Sequence, residues 1–212
     1  MPNQPTITLA EEEFLDAFHV AFEDNYRDML FNDNSRRTSA MSRHIFPALA
    51  KSYDGATIEH DFKGIDAVLF RPDYFAEKPK DITQPGNDNN IIAVIEHENN
   101  SAAIAGEIKK LAELPLRPEV LKVLITYTGA AGKYIFSTDN NPTHGVLNIC
   151  KGLDLQDDFR LMVVFHDSTY SNPSGLPIDD HQPGKRMNFW YAVFDFSSGK
   201  PRVFPTPKGA PL

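Results

Sequence analysis

Two carboxylates stand two residues apart at the end of an apolar stretch of this sequence. The stretch reads "IIAVIEHEN" over residues 91–99 and contains Glu96 and Glu98. Because side chains alternate along a β-strand, we predict that Glu96 and Glu98 project from one face and His97 from the other. Acidic groups held side by side in this way are typical of a site that binds a metal cation.

A third acid, Asp66, lies among apolar residues in the run "GIDAVLF". If the strand that holds Asp66 lies beside residues 91–98 in a sheet, the three carboxylates converge at one strand end. Without a counter-charge they would repel one another and raise one another's pKa. A divalent cation removes that penalty, and hard oxygen ligands favour Mg²⁺ or Mn²⁺. The sequence therefore predicts a metal site formed by Asp66, Glu96 and Glu98.

Helical patterns come first along the chain. Thr8 and Glu11 form a capping-box pattern, and aromatic residues then recur at every fourth position from Phe14 onward. We predict an N-terminal helix over about residues 9–31 and a second, shorter helix over about residues 39–53.

From residue 56 the pattern changes to short β-rich runs. Strands are predicted for "ATIEHDF" and "GIDAVLF", joined by "KG" as a hairpin or a sharply bent strand, and for "IIAVIEHEN" after a long exposed connection over 71–90. A helix capped by Ser101 then leads to the apolar strand at 120–127, and this β-α-β crossover requires a parallel pair. Further strands are predicted within 159–204, and residues 205–212 are predicted to be disordered. Together these elements predict a single α/β domain over residues 1–212, with a central mixed β-sheet flanked by helices.

The order of these elements and acids resembles the PD-(D/E)XK nuclease superfamily, which has the restriction-endonuclease-like fold. The resemblance covers roughly residues 40–127 and rests on the Asp in "GIDAVLF", the acid pair in "AVIEHEN", the helix with "EIKKL" and the strand "LKVLITY". It implies that Asp66 and Glu96 bind the metal, while Glu98 occupies the position where the family most often has lysine. It implies a metal-dependent endonuclease that hydrolyses DNA phosphodiester bonds, with Asp66, Glu96 and Glu98 as its catalytic residues.

A lysine from the following helix is a candidate to replace the one that the strand lacks. Lys109 and Lys110 are the two such residues. At about 100° per residue, with the apolar stripe of that helix facing the sheet, both lysines are expected to point away from the acids. We therefore expect Glu98, rather than either lysine, to orient the attacking water.

The composition and the charge predict where the protein is located and which partners it binds. No apolar run approaches the ~20 residues of a membrane span and no signal peptide is recognisable, so we expect a cytoplasmic protein without a membrane partner. The net charge of −8 argues against nucleic acid, but residues 11–28 alone supply −6 of it, and residues 36–51 and 185–212 are basic. DNA therefore stays an expected partner. Cutting both of its strands commonly needs two active sites, which is compatible with a homodimer.

Three other interpretations remain open. The three acids are alternatively half-exposed residues at strand ends, each paired with Lys or Arg. The missing lysine and the acidic first helix favour, as an alternative function, a non-catalytic module that binds nucleic acid or protein. A histidine-assisted hydrolase of small phosphoesters would need His60 or His97 near the acids, although neither has the i, i+4 spacing of a helical zinc site.

Overall fold

One large sheet organises the computed structural model of the chain. It describes residues 7–25, 38–53, 55–72, 82, 90–98, 100, 102–127, 129–130, 133–134, 142–155, 158–166, 189–196 and 202–205. Nine strands lie within these residues: β1 Thr57–Phe62, β2 Ile65–Phe70, β3 Ile91–Glu98, β4 Leu121–Tyr127, β5 Gly129–Ala130, β6 Lys133–Tyr134, β7 Arg160–His166, β8 Phe189–Asp195 and β9 Arg202–Pro205. Seven form one sheet in the order β1-β2-β3-β4-β7-β8-β9, and β5 pairs with β6 alone.

The sheet is parallel at its centre and antiparallel at both sides. Strands β3, β4 and β7 run parallel, whereas the β1–β2, β2–β3, β7–β8 and β8–β9 pairs are antiparallel. The helices α3 (Ile104–Glu113) and α4 (Pro142–Lys151) lie in the two parallel crossovers. The predicted parallel crossover between residues 91 and 127 is confirmed, as is the α/β class with a mixed sheet flanked by helices. The second crossover and α4 were not predicted.

Helices cover both faces of the sheet. On one face, α1 (Leu9–Asn25), a π-helical turn (Met41–Ile45) and α2 (Phe46–Ser52) pack against Ala93 and Ile95. On the other face, α3 and α4 pack against Val94 and Leu124. The alternation of strand side chains assigns neighbouring residues to opposite clusters, as a strand buried on both faces requires.

Helix α1 begins with the predicted capping box. The Thr8 backbone nitrogen donates to Glu11 Oε2 at 2.7 Å, and the Glu11 backbone nitrogen donates to Thr8 Oγ1 at 3.2 Å. Phe14, Phe18 and Phe22 then stack on one another and are buried. The part of the predicted helix beyond residue 25 lies outside the described residues.

The second predicted helix contains a change of helical form. Its first part is the π-helical turn, and Pro47 falls in the first turn of α2, where its missing N–H is not needed. The helix ends at Ser52, before Gly55, as predicted. The proline therefore does not break the helix, because a new helical segment starts around it.

A tight hairpin joins β1 to β2, the strand that contains Asp66. Strands β1 and β2 are joined by Lys63 and Gly64, whose φ angles are 57° and 83°. Two consecutive positive φ angles are the requirement of a type I′ turn, whose twist suits a two-residue hairpin. The predicted hairpin is confirmed.

Several expectations fall at or beyond the edges of the described residues. Ser101 lies outside them, and α3 begins at Ile104 after Ala103, which makes no side-chain capping hydrogen bond. Most of the 71–90 connection and the tail after residue 205 also lie outside. No described helix is long and apolar enough to cross a membrane. The predicted C-terminal strands are confirmed as β7, β8 and β9, with small shifts at their ends.

Candidate active site

The antiparallel pairing of β2 with β3 brings two of the three predicted acids together. Ala67 lies opposite Ile95, so the next residue on each strand places Asp66 opposite Glu96. Strand alternation assigns both to the face that α3 covers, with Val68 and Val94. The predicted adjacency of the two strands is therefore confirmed.

Asp66 is held against the end of β3 by a backbone contact. Its Oδ2 accepts a hydrogen bond from the backbone nitrogen of His97 at 2.8 Å. The β2–β3 pairing ends at Ala67 and Ile95, and beyond it this hydrogen bond holds the Asp66 carboxylate beside Glu96. Asp66 is half-buried, so one side of it faces solvent.

Glu96 is almost completely buried, with a relative exposure of 1%. Burial raises the pKa of Glu96 to about 8, since removal from water penalises the charged form. The negative charges of Asp66 and Glu107 add to the rise in this pKa, while the hydrogen bond from Lys110 opposes it. The expected repulsion between the acids is thus present for Asp66 and Glu96.

Lys110 on α3 is the residue whose orientation was predicted wrongly. Its Nζ lies 2.9 Å from Glu96 Oε1, 2.5 Å from Glu107 Oε2 and 3.1 Å from the Gly64 carbonyl oxygen. Although burial acts to lower the pKa of Lys110, the hydrogen bonds to Glu107 and Glu96 raise it overall. The Cβ does leave the buried stripe, but the long side chain curls back past Glu107 to the strand end. Lys109 points outward and pairs with Glu113 at 3.6 Å.

Glu98 does not join the other two acids. Its Oε1 accepts a hydrogen bond from the Asn100 backbone nitrogen at 2.6 Å, and its carbonyl oxygen accepts one from Thr126 Oγ1 at 2.8 Å. Throughout the described part of the chain, no three His, Cys, Asp or Glu side chains are grouped so that they could hold a metal ion. The predicted convergence of Asp66, Glu96 and Glu98 is therefore wrong, because Glu98 bonds to the loop that follows β3.

The two histidines occupy other surroundings. His60 is exposed and stacks on Phe46, with ring centroids 5.8 Å apart. His97 is buried at the strand position that faces away from Glu96, as predicted. The backbone nitrogen of His97 donates to Asp66. The first-helix acids Glu12, Glu13 and Asp16 are exposed, on the helix that packs against the opposite face of the sheet.

Asp66 and Glu96 are two carboxylates of the type that binds a hydrated divalent cation. Mg²⁺ usually keeps several waters and binds through only one or two carboxylates together with substrate phosphates. In the contacts of the described residues, Asp66 uses Oδ2 and Glu96 uses Oε1, so each has a second oxygen for a ligand. A cation between them would also offset the repulsion that raises the pKa of Glu96.

The alternative interpretation, in which each acid pairs with its own Lys or Arg, applies to part of this arrangement. Glu96 does have a lysine partner, Lys110, although it is buried rather than half-exposed. Asp66 and Glu98 bond to backbone nitrogens instead. The sequence signal that would have located Lys110 is the Glu107–Lys110 pair at i, i+3, which places both residues on one side of α3.

Comparison with known proteins adds little. No protein-family model matches the chain, and no curated protein matches it. Among solved structures, the chain is similar to the central domain of yeast acetyl-CoA carboxylase, with 8% identity over 91% of this chain and a TM-score of 0.34. The match spans 34% of that structure's chain. A likeness this weak supports no statement about fold or function.

Proposed function

We propose that this protein is a metal-dependent endonuclease that hydrolyses DNA phosphodiester bonds. One observation supports the proposal above all others: Asp66 and Glu96 face each other at a strand end, and the ammonium of Lys110 contacts Glu96 at 2.9 Å. Two acids and a lysine are the residue types that the nuclease resemblance implies. Here the lysine comes from α3 rather than from β3.

Asp66 and Glu96 would hold Mg²⁺ or Mn²⁺ through their second carboxylate oxygens. When bound, such a cation makes water more acidic and stabilises negative charge on phosphate oxygens. The burial of Glu96 favours this role, because electrostatic attraction is stronger where water is excluded. The hydrogen bond from His97 to Asp66 limits the freedom of the second ligand.

The positive charge of Lys110 would offset the negative charge that develops on a phosphate oxygen. Its contacts with Glu107 and the Gly64 carbonyl fix the position of the ammonium. Glu98 has no part in this scheme, since its carboxylate bonds to Asn100.

The experiment is a nicking assay on supercoiled plasmid DNA with Mg²⁺ or Mn²⁺. We expect nicked and linear products from the natural protein, and rates lower by about 100-fold or more for Asp66→Asn and Glu96→Gln. Both substitutions keep a hydrogen-bond acceptor in place, so the contacts with His97 and Lys110 survive. Glu113→Gln, which changes an exposed acid on α3, is the control and should cut normally. Full activity in either site variant would reject the assignment.

A second function is favoured by the three acceptors around Lys110. An ammonium has three N–H donors, and Gly64, Glu96 and Glu107 supply three oxygens for them. This arrangement fits a structural ion-pair network in a non-catalytic module that binds nucleic acid or protein. The module predicts no cleavage with either metal and a lower melting temperature for Lys110→Gln.

A further inference from the structure

We propose that Lys63, at the tip of the β1–β2 hairpin, contacts the phosphate backbone of the nucleic acid that the site acts on. This inference rests on the proposed function and names a residue that would hold the substrate. Lys63 is exposed and forms no ion pair with any described residue. An exposed ammonium of this kind is the usual partner of a phosphate oxygen.

The turn itself does not explain a lysine at this position. Lys63 has a φ of 57°, in the left-handed region that side chains other than Asn, Asp and Gly rarely occupy. Asn-Gly is the preferred pair for a type I′ turn, and here lysine stands where asparagine would suit the backbone better. The charge of the side chain is therefore a better explanation of this residue than its conformational preference.

The hairpin tip is joined to the acid pair through one atom. Lys110 Nζ contacts both the carbonyl oxygen of Gly64 and Oε1 of Glu96, at 3.1 Å and 2.9 Å. Gly64 is the residue next to Lys63, so the turn lies beside Glu96. A strand of DNA placed with one phosphate at Asp66 and Glu96 would bring a neighbouring phosphate to the hairpin tip.

An acid of matching geometry lies two residues before Lys63. Asp61 is exposed and also has a left-handed backbone, with a φ of 53°. Asn suits that conformation at either position, so Lys63→Asn and Asp61→Asn introduce the same residue into the same kind of backbone with opposite changes of charge. The two variants therefore change the charge of the hairpin in opposite directions. Lys63 lies in the turn, whereas Asp61 lies in β1 at the position opposite Asp66.

The test measures binding of a fluorescent DNA duplex by anisotropy in EDTA, at several salt concentrations. We expect Lys63→Asn to weaken binding several-fold and to reduce the magnitude of the salt slope by about 1. Asp61→Asn should tighten binding, and Lys63→Arg should bind as the natural protein does. The melting temperature of Lys63→Asn should not fall, and Lys63→Gly, which also suits the backbone, serves as the second neutral variant.

The outcomes distinguish this inference from the function on which it rests. Natural protein that neither binds nor cuts DNA would overturn both. Natural protein that cuts DNA, with Lys63→Asn and Lys63→Gly binding equally tightly and with the same salt slope, would overturn the role of Lys63 alone. Weaker binding by both neutral variants, together with tighter binding by Asp61→Asn, would support it.

Discussion

At the level of single residues, the positive charge of Lys110 opposes the rise in the pKa of Glu96. Glu96 is buried beside Asp66 and Glu107, two groups whose negative charges add to the rise in its pKa that burial causes. The Lys110 ammonium acts in the opposite direction and limits this rise, so that the carboxyl still ionises near pH 8. A buried carboxylate that can be ionised is what a metal ligand requires.

The role of Lys110 can be separated from that of its neighbour. We expect Lys110→Gln to slow DNA nicking by about 100-fold, because the group that offsets charge on the phosphate is lost. Lys109→Gln removes the same charge from the same helix, but Lys109 is exposed and pairs only with Glu113 among the described residues. Its nicking rate should stay within about twofold of the natural rate. Equal rates for the two variants would contradict a catalytic role for Lys110.

The sequence located the acids of the site better than it located the lysine. Asp66 and Glu96 could be predicted because the hairpin and the alternation of strand side chains fix where they lie. Lys110 was missed because helical angles describe where a Cβ points, and a side chain with four methylene groups reaches well beyond that direction. The hydrogen bond between Glu98 and the backbone amide of Asn100 could not be predicted, because a backbone partner cannot be seen in a residue pattern.

At the level of whole elements, Arg160 on β7 joins α1 to β8. Its Nε and Nη2 donate to the two oxygens of Glu11 at 2.5 and 2.7 Å, and its Nη1 donates to Asp195 at 2.9 Å. Arg202 on β9 also binds Asp195, at 2.9 Å. Glu11 and Asp195 are both buried. One arginine thus compensates acids from α1 and β8.

Removing Arg160 should therefore cost far more stability than removing Arg202. We expect Arg160→Met to lower the free energy of unfolding by about 3 kcal/mol or more, because Glu11 is left as a buried charge with a lost partner. In Arg202→Met, Asp195 keeps Arg160, and we expect a loss of about 1 kcal/mol. Denaturant unfolding of both variants gives the comparison. Similar losses would show that the Glu11–Arg160 contact contributes little.

Elements with a strong residue pattern were predicted, whereas α4 was not. Helix α1 has its capping box and its phenylalanine stripe, and β3 and β4 are continuous apolar runs. The α4 sequence "PTHGVLNICK" contains Gly145 and several residues of low helix propensity. Val146 and Cys150 are buried there against the sheet, so tertiary packing rather than local preference forms this helix. Burial also raises the pKa of the Cys150 thiol to about 12.

At the level of the whole molecule, the acid pair makes stability depend on pH. The pKa of Glu96 is raised from 4.5 to about 8 on folding, so the folded state binds this proton more tightly than the unfolded state. The resulting contribution to stability is complete below about pH 4.5 and is lost as pH rises to about 8. In a chelator, the unfolding free energy should therefore fall across this window.

Glu96→Gln removes this titration and leaves the other groups in place. Relative to the natural protein, the variant should gain stability as pH rises from about 5 to 8, at up to about 1 kcal/mol per pH unit. Denaturant unfolding of both proteins in EDTA at several pH values measures the difference. A difference that does not change with pH would mean that Glu96 titrates in its ordinary range.

We propose that Asp66 and Glu96 together hold a divalent cation. Binding of Mn²⁺ in the absence of DNA tests this claim most directly. Isothermal titration calorimetry of the natural protein should show a site whose affinity falls at least tenfold in Asp66→Asn and in Glu96→Gln. Glu98→Gln should bind as the natural protein does, because Glu98 bonds to Asn100 instead. Absence of binding by the natural protein, or equal affinity in all four proteins, would contradict the claim.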